Sequence, residues 1–137
     1  MASNADRARQ IIEWVSAFKF DEIEALLHED IVQECPYQAF HSGPMMRGRD
    51  AVMQGLQFVP QVFDTFKLNI HALYDCPEQK TVIFEMTSFG VFAMGGGNYQ
   101  NRYIMVFEFR DDKLVLWREY FNPEVMNRGM AFMAQAT

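Results

Sequence analysis

The chain predicts an α+β domain in which three N-terminal helices gather on one side of a curved antiparallel sheet. Three observations predict it. Apolar residues in the first half recur at helical spacing. From Phe66 onward the spacing changes to two, the period of a strand. Finally, two runs rich in β-branched and aromatic residues, 98–109 and 113–123, flank Arg110-Asp111-Asp112, the pattern of a long antiparallel hairpin.

Ser3 or Asn4 is placed to cap a first helix that carries Ala8, Ile11, Ile12, Val15 and Phe18 on one stripe, with Trp14 on its margin. Asp21, with Glu24 three residues on, has the spacing of a capping box and opens a short second helix through Leu26 and Leu27. Residues 31–35 form a short strand, and Pro36 with Ser42-Gly43-Pro44 breaks regular structure into a loop. A third helix starts between Gly48 and Asp50 and shows Val52, Leu56, Val59 and Phe63 on one face; Pro60 loosens its last turn and Gly55 weakens its middle.

In the first strand of the sheet Phe66, Leu68, Ile70, Ala72 and Tyr74 alternate with Lys67, Asn69 and His71, and Asp75-Cys76-Pro77-Glu78 turns the chain. The next strand, Thr81 to Phe92, is nearly continuous in apolar residues, which predicts burial on both faces. Gly95-Gly96-Gly97 reads as a flexible turn: no helix follows and no P-loop lysine is present, so it is not a nucleotide loop. In the hairpin, alternation sets Asn101, Tyr103, Met105, Phe107 and Phe109 on one face and Arg102, Ile104, Val106 and Glu108 on the other. Val115, Trp117, Glu119 and Phe121 share a face, so one carboxylate stands in an apolar row. Val125, Met126, Met130 and Met133 then predict a C-terminal helix or a mobile tail.

A chain of 137 residues, half of them hydrophobic, fits a single domain over 1–137 with a sizeable core. Its net charge of −6 argues against a nucleic-acid surface, which requires a basic patch. The N-terminus lacks a signal-peptide pattern, and no run approaches the roughly 18 apolar residues of a membrane helix, so a cytoplasmic protein is expected. Cys35 and Cys76 lack metal or redox spacing and read as reduced thiols, with a disulfide between them as the alternative. His28, His41 and His71 lack ligand spacing, so neither a metal nor another cofactor is expected. Met45 and Met46 either fill core gaps, the commoner use, or line an adaptable pocket.

Glu119 either reaches water at the strand end or sits where burial raises its pKa into the range useful for proton transfer. Tyr-x-Asn-Arg-Tyr at 99–103, Phe-x-Phe at 107–109 and Trp-Arg-Glu-Tyr-Phe-Asn-Pro at 117–123, with Pro36-Tyr37 and Arg47-Gly48-Arg49-Asp50, resemble SnoaL-like proteins. That family includes polyketide cyclases and the PhzA/PhzB-like proteins of phenazine biosynthesis, within the NTF2-like superfamily. The resemblance implies a cystatin-like, cone-shaped barrel with a pocket between sheet and helices. It also implies that Glu119 occupies the position of a functional acid. The chain departs from the PhzA/PhzB-like pattern in carrying Arg102 where a histidine is associated with the active site, and Gly55 near the place of a third-helix histidine. A β-bulge would be needed to bring Arg102 rather than Asn101 to the pocket.

The expected activity is acid/base catalysis without a cofactor on an apolar, ring-containing metabolite: an isomerisation, a cyclisation or a condensation. Glu119, Arg102 and His41 are the candidate catalytic residues. Tyr37, Asn101 and Tyr103 are candidate donors to the substrate, and Trp14 and Trp117 candidate stacking walls. Two alternatives remain: a hydrolase resembling limonene-epoxide hydrolase, in which an Asp-Arg-Asp group activates water, and a non-catalytic carrier of a small hydrophobic molecule. An apolar outer face of the hairpin, with Ile104, Val106, Leu116 and Tyr120, predicts a homodimer.

Overall fold

A computed structural model of the protein describes residues 2–37 and 45–136. Helix α1 (Asn4–Ser16) is capped by Ser3, whose Oγ accepts from the Asp6 amide at 3.1 Å while Asp6 Oδ2 accepts from the Ser3 amide at 3.0 Å. Its stripe of Ala8, Ile11, Ile12 and Val15 is buried against strand β3 (Phe63–Cys76).

Helix α2 (Phe20–Glu24) is shorter than its pattern predicts. Asp21 lies inside the first turn and caps nothing, and Leu27 opens strand β1 (Leu27–Glu34). Tertiary pairing overrides local propensity here: the Leu26 carbonyl accepts from the Leu114 amide at 2.7 Å, drawing the chain beside strand β6 (Lys113–Phe121). Strand β2 (Met45–Arg47) pairs back onto β1. Helix α3 (Arg49–Gln57) ends before Pro60, which instead stands in the first turn of a separate one-turn helix, α4 (Val59–Val62). Phe63, expected on the third helix, opens strand β3 (Phe63–Cys76).

Strand β4 (Thr81–Phe92) has the bounds its composition predicts, but one face alone is fully buried: Val82, Phe84, Met86, Ser88, Gly90 and Phe92 point inward, while Glu85 and Phe89 are exposed. A bulge at His71 in β3 changes the phase of alternation. Leu73 therefore packs on the core, and Tyr74, expected in the inner row, is 50% exposed and donates its hydroxyl to Glu85 at 2.7 Å. Strands β5 (Asn98–Arg110) and β6 (Lys113–Phe121) form the predicted hairpin. Asp111 and Asp112, at φ +53° and +61°, make a turn with both central residues left-handed, the geometry that Asn-Gly most often supplies. Helix α5 (Pro123–Ala136) settles the tail as helical.

The six strands form one curved, open sheet in the order β2-β1-β6-β5-β4-β3. Every neighbouring pair is antiparallel except β1 and β6, which are parallel and depart from the expected all-antiparallel sheet. The long excursion through α3, β3, β4 and β5 permits a parallel return. No described helix is long and apolar enough to cross a membrane. Cys35 and Cys76 are free thiols.

Candidate active site

The inner faces of β1, β3, β5 and β6, strand β2 and helices α3, α4 and α5 line an open cavity of about 1040 Å³. That is at the upper end of the range that holds small organic ligands. Its lining is mainly aromatic and aliphatic, with Phe63, Phe66 and Phe121 on the sheet and Met126 and Met130 on α5. Met45 and Met46 also line it, and Met46 packs against the core as well, so it serves both of the expected roles.

Glu119 reaches the cavity because residues two apart on β6 share a face with Trp117 and Phe121. A second bulge in the β5–β6 pairing puts Leu114, not Val115, in the inner row, so the apolar row begins one residue earlier than alternation predicts. The Trp117 indole N–H donates to Glu119 Oε1 at 2.7 Å. Burial pushes the Glu119 carboxyl up to about 7, and the indole hydrogen bond opposes that rise without cancelling it. Among the described lining residues Glu119 is the one carboxylate and Arg47 the one guanidinium.

Beside it, four side chains of β4 and β5 form a buried polar chain. Asn101 Nδ2 donates to the Tyr99 hydroxyl at 2.8 Å and to the Asn122 carbonyl at 2.9 Å. The Tyr99 and Tyr103 hydroxyls lie 2.7 Å apart, and Ser88 Oγ is 3.1 Å from Tyr103. Asn101 donates to the Tyr99 oxygen, which keeps its own proton and a second lone pair, so either tyrosine hydroxyl can donate to the other. Burial pushes the Tyr99 phenol up to about 12 and Tyr103 in the same direction, so both stay protonated donors. Tyr103 is the member of the chain that lines the cavity.

The structure therefore brings Glu119, Tyr103 and Trp117 to one cavity and, of the other expected residues that it describes, sets Arg102, Asn101, Trp14 and Tyr37 elsewhere. Arg102 is exposed on the opposite face, since β4 and β5 pair without interruption from Thr81–Glu108 to Val91–Asn98 and no bulge turns it inward. Asn101, 7% exposed, points inward but serves the tyrosine chain rather than the cavity wall. Trp14 packs half-buried against the core and is not on the cavity wall. Tyr37 is 67% exposed, its ring edge-on to Tyr120, likewise away from the cavity. His41 lies outside the described residues.

Sequence reasoning missed Gln33, Tyr99 and Ser88. Gln33 between Ile31 and Cys35 is a polar residue in an inward row, the same signal that singled out Glu119. Tyr99 falls in phase with Asn101 and Tyr103. Ser88 is the polar member of the inward row of β4. Among the described residues no group of three His, Cys, Asp or Glu side chains is placed to hold a metal ion.

Residues 8–117 match the SnoaL-like domain. YesE, an uncharacterized protein of Bacillus subtilis (strain 168), is 30% identical over 101 residues, 74% of this chain and 69% of that protein. An uncharacterized PhzA/B-like protein of Pseudomonas aeruginosa is 26% identical over 98 residues, 72% of this chain and 69% of its own. Among solved structures, a candidate isomerase from Bacillus subtilis superposes with a TM-score of 0.83 at 24% identity, over 93% of this chain and 91% of that one. An LEH-like epoxide hydrolase of M. tuberculosis gives 0.73 at 21%, over 96% and 94%. An NTF2-like protein from Anabaena variabilis gives 0.74 at 22%, over 87% and 89%. At these identities the superpositions establish the NTF2-like fold.

Proposed function

Because the chain belongs to the SnoaL-like domain family, we propose that its cavity is the active site of an enzyme that moves a proton on an apolar, ring-containing small molecule, as in an isomerisation, a cyclisation or a condensation. Ionised Glu119 takes a proton from a carbon of a ring held against Trp117 and Phe121, and the protonated acid returns it to another atom of the same molecule. A carboxyl pushed up to about 7 is present in both forms near neutrality, where a general acid/base works best.

The charge that moves onto a substrate oxygen needs a donor preset in a dry site. Tyr103 fits that role. Its hydroxyl is hydrogen-bonded to those of Tyr99 and Ser88 at the edge of the cavity, where its proton can turn to a ligand oxygen. The proton transfer thus uses groups that the chain itself supplies.

The observation that carries this reading is the one carboxyl group among the described lining residues of a largely apolar cavity, held by an indole N–H. Hydrolysis of the epoxide-hydrolase kind calls for a second acid flanking an arginine. No such pair stands among the described lining residues, so the observations favour proton transfer.

The test uses 5-nitrobenzisoxazole, an aromatic probe whose ring opens when a base removes the proton from its C3 carbon. The electron pair of that C–H bond forms the nitrile, the N–O bond breaks, and a coloured phenolate leaves. The parent chain should accelerate the reaction well beyond free carboxylate at equal concentration. Glu119→Gln should lose about 10²-fold or more of that rate while remaining folded. Equal turnover by parent and Glu119→Gln would reduce the cavity to a binding site.

We also infer a homodimer through the outer face of the hairpin. Ile104 is 40% exposed there, and Val106, Leu116 and Tyr120 are half-buried around it, an apolar patch that a second copy would cover.

A further inference from the structure

We infer that Gly55 and Met46 are the specificity-determining pair of the cavity: the bare glycine lets Met46 lie back along α3, and the room so left admits a ligand of three or four fused rings. The inference rests on the cavity being the ligand site. Gly55 stands inside α3, where glycine is less stable than alanine. Its φ is not positive, so no left-handed conformation calls for it. A close approach does. A Cβ at position 55 would stand 2.8 Å from Met46 Cε and 3.1 Å from Met46 Sδ, inside the about 3.5–4.0 Å at which non-bonded carbon atoms rest.

Met46 is opposite Gln33 across β1 and β2, and Gln33 is opposite Trp117 across β1 and β6. Partners across a sheet share a face, so Met46 leaves the backbone on the inner side, in one row with Trp117. Its thioether then lies over Gly55, and both residues line the cavity. Methionine is unbranched and turns readily, so a methyl group at position 55 would displace its end rather than break the helix. Helix α3 closes one side of it, and the cavity is the open side. Met46 therefore fills part of the cavity whenever position 55 has a side chain. With Met46 laid back, the volume of about 1040 Å³ is far more than one aromatic ring fills. A fused system of three or four rings reaches from Trp117 and Glu119 to Met46, whereas a smaller one does not meet Met46 in either position.

Two fluorescent aromatic alcohols test this by binding alone: 2-naphthol, with two fused rings, and 1-hydroxypyrene, with four. The parent chain should bind 1-hydroxypyrene the more tightly, because it buries more apolar area. Gly55→Ala should weaken 1-hydroxypyrene about tenfold, the usual cost of overfilling a packed site, and leave 2-naphthol within about twofold. Adding Met46→Ala to Gly55→Ala removes the displaced side chain and should restore 1-hydroxypyrene to the parent affinity or better. Met46→Ala alone should not weaken it. In thermal melts Gly55→Ala should be no less stable than the parent, since the helix gains by the exchange and only the end of one flexible side chain moves.

Unchanged affinities in Gly55→Ala, an equal loss of both probes, or a loss that Met46→Ala does not reverse overturns the assignment. So does a Gly55→Ala chain that melts well below the parent, because Met46 then has no room to move into, and so does a parent that prefers 2-naphthol. Any of these results leaves the proposed reaction standing where 5-nitrobenzisoxazole is still turned over through Glu119. A parent that binds neither probe and turns over no benzisoxazole loses both readings.

Discussion

Trp117 and Glu119 are hydrogen-bonded neighbours, indole Nε1 to carboxyl Oε1 at 2.7 Å, because both face inward from one strand. The bond favours the ionised acid and holds its pKa below the value that burial alone would set. Trp117→Phe removes the donor and keeps an aromatic ring on the wall. The pH midpoint for base-dependent turnover of 5-nitrobenzisoxazole should move upward from about 7. Infrared titration of the carboxyl should show the same displacement. A midpoint that stays in place or falls would mean that the indole does not set the acid's ionisation.

Glu119 should also make the fold's stability depend on pH. Its folded pKa is raised from 4.5 to about 7, so the native state holds a proton that the unfolded chain releases. The resulting contribution is fully present below about 4.5, declines as pH rises through the window to about 7, and is absent above it. Glu119→Gln has no such titration. In chemical denaturation the variant should gain on the parent across that window by on the order of 2 kcal/mol. A constant difference between the two proteins from pH 4 to 8 would contradict the raised pKa.

Tyr103→Phe tests the buried hydroxyl chain. The ring still packs against Phe121 at 5.6 Å, but the Tyr99 and Ser88 hydroxyls lose their shared partner. An unpaired buried donor costs about 1–3 kcal/mol, so the melting temperature should fall. Turnover of a substrate that develops an oxyanion should fall by about 10²-fold, the usual loss of one preset donor. Unchanged turnover alongside a lowered melting temperature would leave the chain a structural role alone.

The outer face supplies a test of assembly. Ile104 and Tyr120 are opposite each other across the β5–β6 pair, with Val106 opposite Arg118 alongside. Ile104→Glu places a charge in that patch, which a covered face does not tolerate. Sedimentation should give a dimer for the parent at micromolar concentration and a monomer for the variant. A parent sedimenting only at 16.0 kDa would rule the dimer out.

The sequence by itself determined whatever depends on local period and local chemistry. A first helix capped at Ser3 or Asn4, the bounds of β4, the turn at Asp111-Asp112 and the shared face of Trp117, Glu119 and Phe121 follow from the 3.6- and 2-residue repeats and from turn geometry. Ser3 as the cap, Glu119 in the cavity and Arg102 outside it were settled by the folded chain. Only the tertiary structure decided the rest. Leu27 became a strand residue because β6 was there to pair with it, and bulges at His71 and Val115 exchanged Tyr74 for Leu73 and Val115 for Leu114 in the inner rows. The parallel β1–β6 pairing set Gln33 beside Trp117 across 84 positions of chain, as the same register set Glu34 on Arg118. Strand phase repeats every two residues and is legible locally, whereas register and bulges depend on which distant partner presents its hydrogen-bonding edge, a relationship that no window of neighbouring residues contains.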